Sequence, residues 1–321
     1  MKKLTILRTG AGSLPSPPVI EGLRDLGCRV VAADAEPLSV GFTCADAHAV
    51  IPRADDPLFP SVIMDLCREE KINAILPAVN EEIPRFLEMA DTLRVAGIGL
   101  MTPGASAVET CLDKRKTARA LAENGLYGPS TWSARDARER DLSFPVVVKP
   151  RRGRGGRGVV VAKGRRELLF FLDQAEEEVI VQALLLGTEH TIDLFCTQEG
   201  ELRMASARRR LRVNNGVSVA GEIVPIAPFL PHLERLTERL ELGGPTCVQC
   251  FLDDEGSPHF FDLNPRLGGG VALSLQGGTP ILEGIVAALR GEPIPCIIGP
   301  GVGLRFLRKY TEVYLDERHR F

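Results

Sequence analysis

The chain has 321 residues, of which 44% are hydrophobic and 25% are charged, as in a globular protein with two or three domains. Its net charge of −3 argues against a general attraction to nucleic acids or acidic membranes. The start MKKLTILRTGAG lacks the apolar core of a signal peptide, and no run approaches the ~20 apolar residues of a membrane span. We therefore expect a cytoplasmic protein without nucleic-acid or membrane partners.

Residues 1–102 alternate predicted strands and helices. Strands are predicted in LTILRT, CRVVAADAEP and NAILPAVNEE. Helices are predicted in PPVIEGLRDLG, which Gly27 closes, and in IPRFLEMADTLRVAG. This alternation is typical of a parallel sheet with helices on its faces, so we predict a Rossmann-like arrangement for this part.

The first turn, Gly10-Ala-Gly12-Ser-Leu-Pro15, matches half of the dinucleotide-binding pattern G-x-G-x-x-G. Pro15 stands where the third glycine would pack helix against strand. Asp34 ends the second predicted strand, where an NAD-binding protein holds a ribose. The partial match favours a scaffold turn, or a site for another anion, over an NAD site.

After residue 102 the pattern changes to grouped strands with helices beside them. A helix pair in TPGASAVETCLDKRKTARALAENG precedes the polar run SARDARERD, which we interpret as a solvated connector. The predicted strands are FPVVVKP, GVVVAK, EVIVQAL, TIDLFC, ELRMAS, TCVQCFL and HFFDLN. Further helices are predicted at 165–175, at 229–240 and near PILEGIVAALRG. The grouping indicates an α+β arrangement.

The segment KPRRGRGGRGVV, from Lys149 to Val160, suggests either an arginine–glycine tail for RNA or a loop that wraps phosphate. Apolar, strand-like runs flank it on both sides, which favours a hairpin loop over a disordered tail. No G-K-[ST] follows, so it is not a Walker loop. Glycines let such a loop turn sharply and present N–H groups to an oligophosphate. They are Gly153, Gly155, Gly156 and Gly158.

The strand HFFDLN places Asp262 and Asn264 on one face and Phe261 on the other, because side chains alternate along a strand. The segment TCVQCFL is the expected antiparallel partner across the turn DDEGSP. If Phe251 pairs with Phe260, a third oxygen-bearing side chain lies opposite Asp262.

That third side chain is Gln249, so an amide, a carboxylate and another amide would converge at Gln249, Asp262 and Asn264. Hard Mg²⁺ prefers such oxygens and completes its shell with water and substrate phosphates. The pattern therefore predicts a metal site.

Five motifs in order resemble those of an ATP-grasp ligase of the carbamoyl-phosphate-synthase-like type, with a single ATP-grasp unit. They are Asp113-Lys114, FPVVVKP, RRGRGGRG, VIVQALLLGTEHTIDLF and FFDLNPRLGGG, and the likeness runs from the GAG turn to about residue 309. The resemblance implies a Rossmann-like N-terminal (pre-ATP-grasp) domain at 1–102. It also implies a small lobe with the phosphate loop at 103–185, and a C-terminal lobe with the metal and substrate site at 186–321.

The resemblance also implies where ATP would bind. Lys114 and Lys149 would neutralise its phosphates, and Lys149 would act in catalysis. Gln182, where related ligases usually have Glu, would contact adenine through its backbone, and Glu189 would bind the ribose. The implied ATP-binding residues are Lys114, Lys149, Gly153, Gly155, Gly156, Gly158, Gln182, Ala183, Leu184 and Glu189.

Mg²⁺ or Mn²⁺ would be bound by Gln249, Asp262 and Asn264. Related enzymes usually have Glu at the first two positions, so a neutral Gln and a shorter Asp lower the charge and reach of this site. Arg266 would stabilise the transferred phosphoryl group as a catalytic residue. The predicted substrate-binding residues are Arg208, Gly268, Gly269 and Gly270.

The resemblance implies an ATP-dependent carboxylate–amine ligase that forms an acyl phosphate and releases ADP and phosphate. Its partners would be a small-molecule carboxylate and an amine, and a homodimer is compatible with the sequence. Two alternatives stay open at this point. One is an enzyme that forms carbamoyl phosphate or carboxyphosphate from bicarbonate, and the other is an ATP-binding regulatory protein with degraded catalysis.

Overall fold

The fold, described by a computed structural model for residues 3–153, 155–214 and 216–315, comprises a parallel α/β part and two further sheets. The smaller of these is antiparallel, and the larger is antiparallel apart from one parallel pair of strands. The predicted mixture of an α/β part with an α+β part is confirmed. Among these residues no helix is both long and apolar enough to cross a membrane.

The N-terminal sheet has five parallel strands. They are β1 (Thr5–Arg8), β2 (Arg29–Asp34), β3 (Ala47–Val50), β4 (Ala74–Leu76) and β5 (Gly99–Leu100), in the order β3-β2-β1-β4-β5. Helices α1 (Ser16–Asp25), α2 (Phe59–Glu69), α3 (Glu82–Glu88) and α4 (Ala90–Val95) connect them, with a 3₁₀ turn at Val40–Cys44. The strand order reverses between β1 and β4, and the loops that leave such a point open a crevice.

The segment IPRFLEMADTLRVAG differs from its prediction as one helix. It forms α3 and α4, which meet at Met89. The apolar residues Phe86, Met89 and Leu93 all enter the same core, so the break does not interrupt the buried stripe.

A four-stranded antiparallel sheet forms the small lobe. Its strands are β6 (Thr131–Ser133), β7 (Val146–Pro150), β8 (Val160–Ala162) and β9 (Val179–Ala183), in the order β6-β9-β7-β8. The helices α7 (Ala134–Glu139) and α8 (Arg165–Asp173) accompany them. β7 and β8 are hydrogen-bonded antiparallel neighbours, so the glycine-rich segment is the loop of a hairpin, as predicted.

The interpretation of SARDARERD as a solvated connector is wrong, because it contains α7. The hydroxyl of Ser133 accepts a hydrogen bond from the backbone N–H of Asp136 at 3.0 Å and caps the helix. Ala137 is fully buried in the core of the small lobe. A cap and a single buried side chain therefore outweigh the polar composition.

The C-terminal part contains a seven-stranded sheet. Its strands are β10 (Thr188–Cys196), β11 (Leu202–Asn214), β12 (Val217–Val224), β13 (Gly244–Leu252), β14 (Pro258–Asn264), β15 (Ile297–Ile298) and β16 (Arg305–Leu307). The order is β14-β13-β10-β11-β12-β16, and β15 pairs with β11. Helices α9 (Leu230–Arg239), α10 (Val271–Gln276) and α11 (Ile281–Arg290) pack beside it. β12, β15 and β16 were not predicted.

The predicted helix pair is α5 (Ala105–Leu112) and α6 (Lys114–Glu123). Its apolar residues Cys111 and Leu121 share a core with Phe260 and Leu263 of β14, so both helices pack on the large sheet. Between them Asp113 caps α6.

Asp113 also ties α6 to the small lobe. Its fully buried carboxylate lies 2.6 Å from the Nη2 of Arg151, the residue after β7. Lys114 is thereby fixed beside the hairpin loop between β7 and β8. The domain bounds at 102/103 and 185/186 stay predictions.

Candidate functional site

A cavity of about 310 Å³ lies between the four-stranded sheet and the seven-stranded sheet. Strands β7 and β9 and the glycine-rich loop line one wall, and β13, β14 and the β11–β12 hairpin line the other. The predicted site residues on its walls are Lys114, Lys149, Gly153, Gly155, Gly156, Gln182, Ala183, Leu184, Glu189, Gln249 and Asp262. The fold thus brings most of the predicted nucleotide and metal residues to one cleft.

Lys149 is the next-to-last residue of β7, and its side chain lies inside this cleft. It is only 6% exposed, and its Nζ lies 5.4 Å from the centre of the Phe261 ring. Burial lowers the pKa of Lys149 to about 8, although the Asp262 carboxylate raises that pKa, and the Lys114 cation lowers it further. A desolvated cation of this kind favours an anionic ligand.

The segment from β9 to β10 forms the back of the cleft with Gln182, Ala183 and Leu184. The Gln182 side chain is 3% exposed and donates its Nε2 to the Thr131 hydroxyl at 2.8 Å. Because a neighbouring strand holds this amide, the predicted contact with adenine through the backbone does not require the side chain.

The glycine-rich loop lies over the cleft, where Lys114 donates its Nζ to the Gly153 carbonyl at 2.9 Å. Gly156 has a φ of +72°, a conformation that L side chains rarely adopt. Across the cleft, a Cβ added at Gly216 would lie 2.7 Å from the Gly155 carbonyl oxygen. The loop therefore touches the tip of the β11–β12 hairpin and covers the cavity between them.

Arg210 on β11 links the hairpin tip to the cleft wall, a contact that sequence reasoning missed. Its side chain forms an ion pair with Glu189 and donates to the Gly216 carbonyl at 2.7 Å. The predicted ribose-binding carboxylate is thus already oriented by a buried guanidinium. Arginines also stand at 208, 209 and 212, and nothing in the local sequence distinguishes Arg210 from them.

Gln249 on β13 lies directly opposite Asp262 on β14, as predicted. The predicted pairing of Phe251 with Phe260 is wrong, because Phe260 pairs with Cys250. The register shifts by one residue here, so Phe261 is the extra residue of a β-bulge.

The bulge also changes the faces of the strand. Phe261 lines the cleft beside Asp262, whereas it was predicted on the opposite face. Strict alternation fails because the extra residue turns its side chain toward the cavity.

The cleft side of β13 and β14 offers oxygen donors with a single carboxylate. Within the described parts of the chain, no three His, Cys, Asp or Glu side chains form a metal-binding group. Asn264 donates its Nδ2 to Asp262 at 2.9 Å, so its amide oxygen points away from that carboxylate. Gln249 and Asp262 fit a hard cation that also takes water and phosphate oxygens, and Asn264 would have to turn its amide over to join them.

The comparisons with known proteins agree with this geometry. Residues 111–270 match the ATP-grasp domain family, and residues 19–101 match the PylC-like N-terminal domain family. This chain is an ATP-grasp protein.

Among curated relatives, the carbamoyl phosphate synthase large chain of Clostridium botulinum is 22% identical over 298 residues, 86% of this chain. The chain spans only 27% of that relative's length.

Solved structures with the same fold include N5-carboxyaminoimidazole synthetase from Staphylococcus aureus complexed with ADP. It has a TM-score of 0.76 and 16% identity, and the match covers 92% of this chain and 80% of that one. The L-amino acid ligase from Bacillus licheniformis has a TM-score of 0.72 and 19% identity, with 90% and 75% covered. At these identities the likeness shows the fold.

Arg266 lies in this ATP-grasp protein just beyond β14, at the end of the cleft nearest the N-terminal sheet. It donates its Nε to the Asn80 side-chain oxygen at 2.6 Å. Asn80 is 8% exposed and was not predicted as a site residue. The available signal was its place in the loop after β4, at the carboxyl edge of a parallel sheet.

Arg208 is buried beneath the glycine-rich turn at 268–270. It is 2% exposed and donates its Nη2 to Asp193 at 2.7 Å, and a Cβ at Gly270 would lie 2.1 Å from its Nη1. The pair supports the turn from below, which is a structural task. Direct substrate contact by Arg208, Gly268, Gly269 and Gly270 stays a prediction.

Asp34, considered in the sequence analysis as a ribose ligand, instead binds backbone groups of the first turn and of the turn after β2. Its carboxylate accepts backbone N–H groups from Gly12 at 2.7 Å and Glu36 at 3.1 Å. The first turn of the ATP-grasp protein is therefore braced by the Asp34 carboxylate at the end of β2, in line with a scaffold role.

Proposed function

We propose that this ATP-grasp protein is an ATP-dependent carboxylate–amine ligase that forms a C–N bond and releases ADP and phosphate. The observation that carries the proposal is the cleft itself, where buried Lys149 and a glycine-rich loop face the Asp262 carboxylate. One wall supplies cations and N–H groups for phosphates, and the other supplies oxygens for a divalent cation.

The small lobe would hold the nucleotide. Lys149 and Lys114 neutralise phosphate oxygens, and the loop containing Gly155 and Gly156 covers them and excludes water. The apolar slot at 182–184 takes the adenine ring, and Glu189 shares its carboxylate between Arg210 and a ribose hydroxyl.

Gln249 and Asp262 would bind Mg²⁺ or Mn²⁺, which when bound neutralises charge on the β- and γ-phosphates. Asn264 orients Asp262 through the hydrogen bond between their side chains. Its own ligation of the metal stays a prediction.

The reaction follows from the placement of charge at the cleft. An oxygen of the substrate carboxylate attacks the γ-phosphorus, and the bond to the bridging oxygen of ADP breaks, which gives an acyl phosphate and ADP. The amine then attacks the acyl carbon, phosphate leaves with the C–O bond electrons, and the amine loses a proton. Arg266 stabilises the charge of the transferred phosphoryl group, so no covalent nucleophile of the enzyme is required.

Two alternatives are favoured by specific observations. The fold is shared with a biotin carboxylase domain crystallised with MgADP and bicarbonate, which favours bicarbonate as the acid and carboxyphosphate as the product. The single carboxylate at the metal face favours a regulatory protein that binds ATP without turnover. The expected cytoplasmic location belongs to the proposal as well, and a homodimer is compatible with it.

The experiment is a screen for Mg²⁺-dependent ADP release over amino acids, other carboxylates and bicarbonate, with and without hydroxylamine, which traps acyl phosphates. A ligase releases ADP with a particular carboxylate and yields its hydroxamate, and Lys149→Ala abolishes both signals. A response to bicarbonate alone would replace the proposal with the carboxyphosphate alternative. Tight ATP binding without ADP release under any condition would favour the regulatory alternative.

A further inference from the structure

We propose that Asn80, from the N-terminal sheet, is a positioning residue that holds the Arg266 guanidinium for phosphoryl transfer. The inference rests on the proposed ligase function, since Arg266 has this task only if a phosphoryl group is transferred. Asn80 lies outside residues 111–270, the part that matches the ATP-grasp domain family.

The topology brings Asn80 to the end of the cleft where Arg266 meets the N-terminal sheet. It follows β4, which is next to β1 at the point where the order of the parallel strands reverses. It lines a cavity of about 140 Å³ together with Lys114 and Asp262. Lys114 and Asp262 also line the larger cavity, so the two spaces adjoin. The Asn80 side chain thus faces a space beside the predicted phosphate and metal residues.

Hydrogen-bond chemistry fixes the orientation of the Asn80 amide. A guanidinium only donates, so Asn80 presents its oxygen to the Arg266 Nε, at 2.6 Å. Its nitrogen then donates to the Asn264 side-chain oxygen at 3.2 Å.

The chain of hydrogen bonds continues to the metal face. The Asn264 nitrogen donates to the Asp262 carboxylate, which only accepts, at 2.9 Å. Every link from Arg266 to Asp262 therefore has one consistent direction, and Asn80 is the link that the N-terminal sheet contributes.

Electrostatics explains why Arg266 needs such a link. Arg8 on β1 is fully buried nearby. Burial lowers the pKa of Arg8 to about 9, and the Arg266 cation lowers that pKa further, although Glu82 raises it. Because the two cations repel each other, a hydrogen bond from Arg266 to a neutral acceptor is favoured. Arg266 also donates its Nη1 to the Leu267 carbonyl at 2.9 Å, and Asn80 adds a directional bond at Nε that helps to set the plane of the guanidinium.

The test is a double-mutant cycle of Asn80→Ala and Arg266→Lys, measured by ADP release with the carboxylate found in the screen. Arg266→Lys keeps the charge but lacks the planar Nε–H that Asn80 accepts. We expect Asn80→Ala to lower kcat by about 10–100-fold and to leave KM for ATP unchanged. A loss of this size is typical when a residue is removed that orients a functional side chain without touching the substrate. In the Arg266→Lys background the same change should have little further effect.

The matched control is Asn73→Ala in the same sheet. The Asn73 side chain also makes two hydrogen bonds: it donates to the Lys3 carbonyl at 2.9 Å and accepts from the Thr5 N–H at 3.1 Å. It does not line the cleft. Equal rates for Asn80→Ala and Asn73→Ala would overturn the inference, as would effects of Asn80→Ala and Arg266→Lys that multiply.

The two proposals fail in distinguishable ways. If the unmodified protein releases no ADP with any carboxylate, the ligase function fails and the task assigned to Asn80 fails with it. If it turns over but Asn80→Ala does so equally well, only the positioning role is lost. Calorimetric titration with MgADP checks that the variant is folded, and we expect an unchanged Kd.

Discussion

The two walls of the cleft are built in different ways. One continuous stretch, residues 146–189, supplies Lys149, the glycine-rich loop and the adenine slot. The opposite wall combines β13, β14 and the loop after β4, and its end holds Asn80 against Arg266. The first of these, the nucleotide wall, thus depends on local sequence. The second, which we call the reaction wall, depends on long-range packing. They also differ in charge, since Lys149 lies on one wall and the metal face of the other carries the Asp262 carboxylate.

The sharpest test of this division is removal of that carboxylate with Asp262→Ala. The metal face would keep only amides, so we expect ADP release to fall by about 10³-fold or more, because little remains to fix the cation at the developing charge. Steady-state ADP release at saturating Mg²⁺ measures the effect. Asp254→Ala, an exposed carboxylate at the turn of the same hairpin, is the control. If both variants turn over at the original rate, the opposite wall does not carry the metal.

The nucleotide wall is tested through the charge of Lys149. A lysine is cationic below its pKa, which is about 8 here, so its charge is lost as the pH rises through that value. Because kcat/KM reports the free enzyme, we expect kcat/KM for ATP to fall about tenfold per pH unit above pH 8. Lys149→Arg should remove this decline, since arginine stays protonated. A decline that persists unchanged in Lys149→Arg would assign it to another group.

The difference in charge between the walls can be increased with Gln249→Glu. A second carboxylate opposite Asp262 should lower the Mg²⁺ concentration for half-maximal activity by about tenfold, because ligand charge tunes the affinity for a hard cation. Without metal, the like charges should lower the free energy of unfolding by up to about 1 kcal/mol. Gln198→Glu, in an exposed loop, makes the same change away from the cleft. An unaltered Mg²⁺ requirement would show that Gln249 does not face the cation.

The contact between the loop and the β11–β12 hairpin predicts the smallest effect. Gly216→Ala places a methyl group against the Gly155 carbonyl. We expect this to raise the free energy of closing the glycine-rich loop by about 1 kcal/mol, which corresponds to about a fivefold rise in KM for ATP. Gly256→Ala is the matched control, since its φ of +84° is similarly strained but no atom lies within 4 Å of the added Cβ. Equal KM values in the two variants would mean that strain alone, rather than the contact, explains any change.

The residues of the nucleotide wall could be found in the sequence because their signals are contiguous, and their part in nucleotide binding stays a prediction. An apolar strand that carries Lys149 near its end and runs into a glycine-rich loop has a local pattern that needs no partner to be recognised. The fold class followed from the switch between alternating and grouped elements, and the resemblance to ATP-grasp ligases is confirmed.

The reaction wall could not be predicted to the same depth. No local pattern connects Asn80 to Arg266, which is 186 positions away in the chain. Neither does any pattern separate Arg210, which faces the cleft, from Arg208, which lies beneath the turn at 268–270. Which arginine reaches the cleft depends on how β11 packs between β10 and β12, and that is a tertiary property.

The extra residue in β14 has a consequence for how this hairpin can vary. From Gln249 to Leu252 one strand takes three steps, while from Asp262 back to Pro258 its partner takes four. An insertion in the exposed turn at 253–257 would leave this mismatch in place, and the aromatic ring would stay under the lysine. Deleting a single residue from 258–261 would even out the two counts and remove the Phe261 ring from beneath Lys149, although every side chain assigned to the nucleotide, the metal or the reaction would still be present.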